Sequence, residues 1–152
     1  MWHENDNIEF KFVNSHEKVS AVRDSSQAET IKRSLRARLD NSKNMILIVG
    51  DRTRFDTDFV PYEISYAVDK CSIPIIATYP GYRVIRDPKA LEPLWPEALR
   101  TRIANGTARV IHIPFNQKAI DAAIGQFDHN NFPVGGGLGI YNDAAYRSFG
   151  II

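Results

Sequence analysis

The sequence predicts an α/β domain, a parallel sheet with helices on both faces. Three observations carry this. Residues 45–50 (MILIVG) form an unbroken apolar run without alternation, the pattern of a strand buried on both sides. A second stretch follows, FVPYEISYAVDKC, in which Val60, Ile64, Ala67, Val68 and Cys71 fall on one helical stripe. The same alternation of strand and amphipathic helix recurs along the chain, and it favours parallel strands joined by right-handed crossovers.

Taken in order, residues 1–7 are polar apart from Trp2. Residues 8–13 (IEFKFV) alternate apolar and charged side chains, as a half-buried strand does. Residues 14–24 read as a polar loop. Ser26 and Glu29 form a capping box that opens a helix running to about Leu39. Ile31, Leu35 and Leu39 are its buried line; Lys32, Arg33, Arg36 and Arg38 spread over the other faces and read as solvated. In the central unit, Thr57 or Asp58 caps the second helix, and Pro61 is tolerated in a first turn whose amides lack intrahelical acceptors. Glu63 sits near the positive end of that helix, one residue off the apolar stripe. Ligands of open α/β sheets collect at the carboxyl ends of the strands, which makes Glu63 the candidate functional carboxylate.

Residues 73–79 (IPIIATY) are the next strand, ended by Pro80 and Gly81. Residues 82–106 are irregular and proline-rich, with a short helix over 96–103 and an Asn105-Gly106 turn. Residues 109–113 (RVIHI) make another strand, and Asn116 caps a helix carrying Ile120, Ala123, Ile124 and Phe127. The chain then changes character. We divide it into an α/β domain at 1–129 and, at 130–152, a Gly-rich joint (GGGLG) followed by an apolar tail of little periodicity. That tail is either a docking segment or a mobile terminus. Burying Phe149, Ile151 and Ile152 gains about 1.5–3 kcal/mol each, against the cost of ordering a glycine-rich backbone. On that balance the tail is expected to dock on a neighbouring subunit rather than on its own body.

Composition excludes several classes. A net charge of +1 over 152 residues supplies no global field for nucleic acid or membrane surfaces. A single cysteine makes no internal disulfide, and no Cys/His cluster has zinc spacing. The opening MWHENDN lacks a leader pattern, and no stretch has the length of a membrane span. GGGLG lacks a preceding strand, and the turn Gly50-Asp51-Arg52-Thr53 lacks the spacing of a phosphate-binding loop. These features predict a cytoplasmic protein and give no sign of a metal site.

Several pieces together resemble a known family: RDSSQAETIKRSLRARLDNS, MILIVG with Thr53 after it, FVPYEISYAV, IPIIA, LEPLWPEALR and IHIPFN. They are similar to the TIR-like proteins of bacterial Thoeris anti-phage systems and, more distantly, to TIR domains in general. The likeness covers most of residues 8–127. It implies a flavodoxin-like sheet, NAD+ as substrate, and cleavage of the nicotinamide–ribose bond. It further implies a homo-oligomer, and conversion of the ADP-ribosyl part into a diffusible nucleotide that activates a separate effector. The family's glutamate motif, S-x-W-V/C-x-x-E, falls here on Thr57, Phe59, Val60 and Glu63. Threonine replaces the serine and phenylalanine the tryptophan, and Phe59 still supplies an apolar wall. Family members carry a strand and helix ahead of the segment equivalent to 8–13. This chain begins near the end of that helix, so the usual first strand is expected to be missing.

The chemistry implied asks for a fixed carboxylate that binds ribose hydroxyls and faces developing positive charge. Glu63 suits that role; the alternative is a surface glutamate paired with a neighbouring cation. The resemblance places His16, Arg23 and Asp24 on a loop that closes over substrate. Arg23 pairs either with diphosphate or with Asp24 or Glu29. Arg52 and Thr53 contact phosphate or ribose, or else satisfy their own turn. Tyr62 and Tyr66 stack on a base or pack on one another, and His112 reads as a hydrogen-bonded structural histidine. Two further functions stay open: a non-catalytic nucleotide- or protein-binding module, and a nucleoside deoxyribosyltransferase, which would also use a glutamate near the sugar.

Overall fold

The computed structural model describes residues 25–152. The expected strand at 8–13 and the loop at 14–24 lie outside the described residues. Within them, three strands, β1 (Met45–Ile48), β2 (Ile75–Tyr79) and β3 (Val110–Pro114), form a parallel sheet in the order β1–β2–β3. Met45 stands opposite Ile75, and Ile75 opposite Val110. The expected neighbours and their parallel sense are therefore observed.

The pleat sorts the side chains into two cores. Met45, Leu47, Val49, Ile75, Ala77, Tyr79 and Val110 point to one face. There they meet Leu39 of α1 (Ser25–Asp40), Val60 and Ile64 of α2 (Phe59–Ser65), and Leu99 of α3 (Glu97–Ala104). Ile46, Ile76, Ile111 and Ile113 point the other way, against Ala119, Ile120 and Ala123 of α4 (Gln117–Gln126). β2 is buried along its whole length because both faces are covered. This explains why its sequence shows no alternation.

Local departures have local causes. The first turn of α2 is capped by neither Thr57 nor Asp58. Asp56 Oδ1 accepts from the backbone N–H groups of Asp58 at 2.8 Å and Phe59 at 3.0 Å. The α-helix ends at Ser65 and continues as a π-helical turn, Tyr66–Cys71, closed by Ser72 at φ +55°. The proline-rich crossover contains, besides α3, a 3₁₀ segment at Pro88–Leu94. Of the expected buried line of α1, Leu35 and Leu39 are buried and Ile31 is half-buried.

The largest departure is the tail. It packs on its own body, where the balance of burial against ordering cost had pointed to a neighbouring subunit. Gly139 lies along the outer edge of β3: its N–H donates to Val110 O at 3.0 Å, and its carbonyl accepts from His112 N–H at 2.9 Å. An otherwise open strand edge is thereby covered. A short helix, α5 (Asp143–Ser148), is capped by Asn142 and buries Tyr146, whose hydroxyl accepts from Ile85 N–H at 3.1 Å. Tyr141 and Phe149 pack on the α4 core. Arg83 donates to Ile151 O, and Arg86 pairs with Asp143 at 2.9 Å. The ordering cost that weighed against self-docking is offset by backbone and polar contacts as well as apolar burial.

One buried chain of hydrogen bonds joins these parts. His112 Nε2 lies 2.8 Å from Gly137 O, which can only accept, so Nε2 carries the proton. Nδ1 then accepts from Tyr79 Oη–H at 2.7 Å, and Tyr79 Oη accepts from Trp95 Nε1–H at 2.9 Å. The reading of His112 as a structural histidine agrees with this arrangement.

Two tests follow from this packing. A Cβ at Gly139 would sit 2.8 Å from both Val110 O and Val134 O. Gly139→Ala is expected to destabilise the fold by about 1–3 kcal/mol in urea unfolding, the range for overpacking. Burial holds His112 down at about 4, against an ordinary value of 6.5. The unfolded imidazole takes its proton near 6.5 and the folded one only near 4. Stability from this group is thus complete above 6.5 and lost as pH falls towards 4, by about 3 kcal/mol at most. Unfolding free energies at pH 7 and 4.5 should differ by less in His112→Gln than in the wild type.

Candidate active site

The site is built where β1 ends. Gly50 to Asp58 turn the chain from β1 into α2, and the turn is held from within. Thr53 Oγ1 donates to Ile48 O at 3.0 Å and accepts from Gly50 N–H at 2.9 Å. Its hydroxyl proton is therefore used by its own turn, the second of the two roles open to it. Arg52, next to it, is exposed. Phe59 is buried, and its N–H is part of the Asp56 cap.

Glu63, one turn into α2, is 5% exposed. Apolar packing surrounds its helix: Val60 and Ile64 on either side of it belong to the sheet core. Its Oε2 lies 4.0 Å from Arg38 Nη2 of α1. Tyr62, the preceding residue, accepts a 2.6 Å hydrogen bond from Arg36 Nη1 and has Lys32 Nζ 5.2 Å from its ring centroid. Lys32 also pairs with Asp58 at 3.7 Å. Tyr62 and Tyr66 stack with centroids 6.2 Å apart. The basic residues of α1 are thus not simply a solvated face: Lys32, Arg36 and Arg38 all reach α2. Sequence reasoning missed this because charge spacing on one helix does not reveal which neighbour it packs against.

His16, Arg23 and Asp24 lie outside the described residues. Of the other candidates, the structure brings Phe59, Tyr62 and Glu63 together on the first turns of α2, with Thr53 and Arg52 on the turn before it. Among the described residues no cluster of His, Cys, Asp and Glu could hold a metal ion, and no helix is long and apolar enough to cross a membrane.

A separate cleft of about 520 Å³ opens at the opposite, amino-terminal end of the strands, lined by Asp40, Lys43, Lys70, Cys71, Ile73 and His129 among others. Its polar groups serve structure. Tyr66 Oη–H donates to Asp40 at 2.7 Å, which pushes the phenol up to about 12. Burial first, and Asp40 second, raise the Cys71 thiol, keeping it protonated.

With a parallel sheet, helices on both faces and a buried glutamate on the helix after β1, comparison with known families decides the relationship. The family described as "Thoeris protein ThsB, TIR-like domain" matches residues 1–84. The chain belongs to this family. The matched region of the TIR-like domain includes α1, β1, α2 and β2, and with them every candidate site residue. Membership supports a role in anti-phage defence, and the architecture agrees with a flavodoxin-like TIR-like fold.

The occupied Thr53 hydroxyl generates a test. Thr53→Val removes one donor and one acceptor from a buried turn. It should cost about 1–3 kcal/mol in chemical unfolding, whether or not a nucleotide is added.

Proposed function

We propose that the protein cleaves the nicotinamide–ribose bond of NAD+ and passes the ADP-ribosyl part into a signalling nucleotide, which reaches a separate effector by diffusion. The observation that carries this reading is the placement of Glu63: a buried carboxylate on the first turns of the helix that follows a strand of a parallel sheet. That is the end of the sheet where ligands of such folds bind, and it is the position of the glutamate in the motif Thr57-x-Phe59-Val60-x-x-Glu63.

The chemistry is a group transfer. The C1′–N bond breaks and its electron pair leaves with nicotinamide, which departs neutral. The ribosyl carbon, oxocarbenium-like at the transition state, then takes an oxygen nucleophile, which is water or a hydroxyl of the ADP-ribosyl part itself, and that nucleophile loses its proton. A fixed carboxylate accepting hydrogen bonds from the ribose hydroxyls stabilises the developing charge more than the ground state. Glu63 fills this role. Arg52 and Arg23 supply cations for the diphosphate, and Phe59 an apolar wall. No cofactor is required, since NAD+ is the substrate, and the working form is a homo-oligomer.

The test is Glu63→Gln in the full chain, assayed for nicotinamide release after activation. Release should fall by at least about 10²-fold, the scale for losing one transition-state electrostatic group, with the melting temperature little changed. Unaltered turnover in that variant would remove the carboxylate from the mechanism. Equal NAD+ binding by both proteins without turnover in either would select the non-catalytic module.

A further inference from the structure

We propose that Tyr82, with Phe55 on the neighbouring connection, forms an aromatic platform on which the adenine ring of the ADP-ribosyl part stacks. This rests on the reading of NAD+ as the substrate, and it names where the non-reacting end of that substrate is held.

Exposed aromatic rings are not scattered over the molecule. Among the described residues, the large hydrophobic side chains left open to solvent divide into two sets. The aliphatic ones all lie beyond residue 130, in the C-terminal segment. The aromatic ones, Phe55, Tyr82 and Phe115, each follow one strand: β1, β2 and β3 in turn. The strands are parallel neighbours, so these connections line a single end of the sheet. One exposed apolar side chain needs no explanation, but an aromatic at each strand end, where ligands of such folds bind, is a pattern.

Tyr82 and Phe55 are the more exposed of the three. Pro80 and Gly81 fill the central positions of a tight turn, with Gly81 at φ +87° and a 3.3 Å hydrogen bond from Tyr82 N–H to Tyr79 O. This turn presents Tyr82 directly at the end of the central strand. Its ring meets Tyr79 edge to face, at 73° with centroids 5.9 Å apart, and stays 43% exposed. Tyr79 belongs to the core shared with Val60 and Ile64 of α2, which puts Tyr82 on the side of the sheet that carries Glu63. Phe55, 63% exposed, lies on the connection from β1 into that same helix. The Arg54 guanidinium stands 4.5 Å from its ring centroid, and Arg52 is exposed in the same turn.

Aromatic faces beside guanidinium groups suit a flat heterocycle that carries an anionic tail. Stacking is open to any base, and the cations complement a diphosphate. Phe59, 1% exposed, closes this region from within, so a ring arriving from solvent meets Tyr82 and Phe55. Adenine is the base assigned because nicotinamide departs in the proposed reaction, whereas the ADP-ribosyl part stays through the transfer. Gripping the part that remains uses binding energy from a non-reacting group to hold the ribosyl carbon for its nucleophile.

The experiment is a calorimetric titration of the full chain with ADP-ribose, which carries the adenine and diphosphate but no bond to nicotinamide. Tyr82→Ala should weaken binding by about 5- to 100-fold, the range for losing one base–aromatic stack. Tyr82→Phe should keep the wild-type affinity, and Phe55→Ala should weaken it in the same direction. Ribose 5-phosphate, which lacks the base, should not distinguish Tyr82→Ala from the wild type. Equal ADP-ribose affinity in the wild type and a folded Tyr82→Ala protein would overturn the proposal, as would failure of the wild type to bind ADP-ribose. A lower molar mass of Tyr82→Ala by light scattering, with affinity unchanged, would also overturn it and assign the rings to contact with a second copy. Because the titration needs no turnover, Tyr82-dependent binding without NAD+ cleavage would count against the proposed function alone.

Discussion

The hydrogen-bonded chain from Trp95 through Tyr79 and His112 to Gly137 is the interaction on which the rest of this architecture turns. It crosses four segments: the proline-rich crossover, β2, β3 and the glycine-rich joint. Trp95, Tyr79 and His112 are all buried, so their polar atoms must have partners, and each partner lies on a different segment. The imidazole ring also stacks with both aromatic rings, at centroid distances of 5.8 Å to Tyr79 and 5.6 Å to Trp95. Displacing any one segment would leave a buried donor or acceptor unpaired. The network therefore specifies how the C-terminal segment sits, beyond what apolar burial, which is non-directional, could do.

The C-terminal segment in turn completes the sheet. Gly139 covers the edge of β3, and only glycine permits the close approach to the Val110 and Val134 carbonyls. Tyr141 and Phe149 then extend the layer on the α4 face, stacking edge-on at 5.3 Å. A stretch that lacks periodicity can still be part of the core when its contacts are made residue by residue instead of along one helical stripe.

On the opposite face, the packing of α1 against α2 sets the polar surroundings of Tyr62 and Glu63. The apolar ridge of α1 brings cations to both flanks, so that burial of Leu35 and Leu39 positions Arg36 and Arg38. Thr53 and Asp56 do comparable work in the preceding turn, where one hydroxyl and one carboxylate satisfy backbone groups that would otherwise be orphaned between β1 and α2.

The sequence by itself determined the parallel order of β1, β2 and β3, the helices between them, and Glu63 as the carboxylate after β1. Each is written in local pattern: a short unbroken apolar run bounded by turn residues fits a strand covered on both faces, and a helical stripe needs an apolar surface to cover it. The Asn116 cap was legible for the same reason, because its acceptor and donor are three residues apart. Tertiary structure alone decided the rest. Asp56 displaced Thr57 and Asp58 as the cap, because the chain's direction out of the Thr53 turn chose which side chain faces the free amides. Lys32, Arg36 and Arg38 turned from surface charge into partners of α2, and the tail came home to β3 through Gly137 and Gly139. These contacts join residues far apart in the chain, and the directional hydrogen bonds and charge pairs that make them leave no periodic trace in the sequence. Their energies exist only once the segments have been brought together.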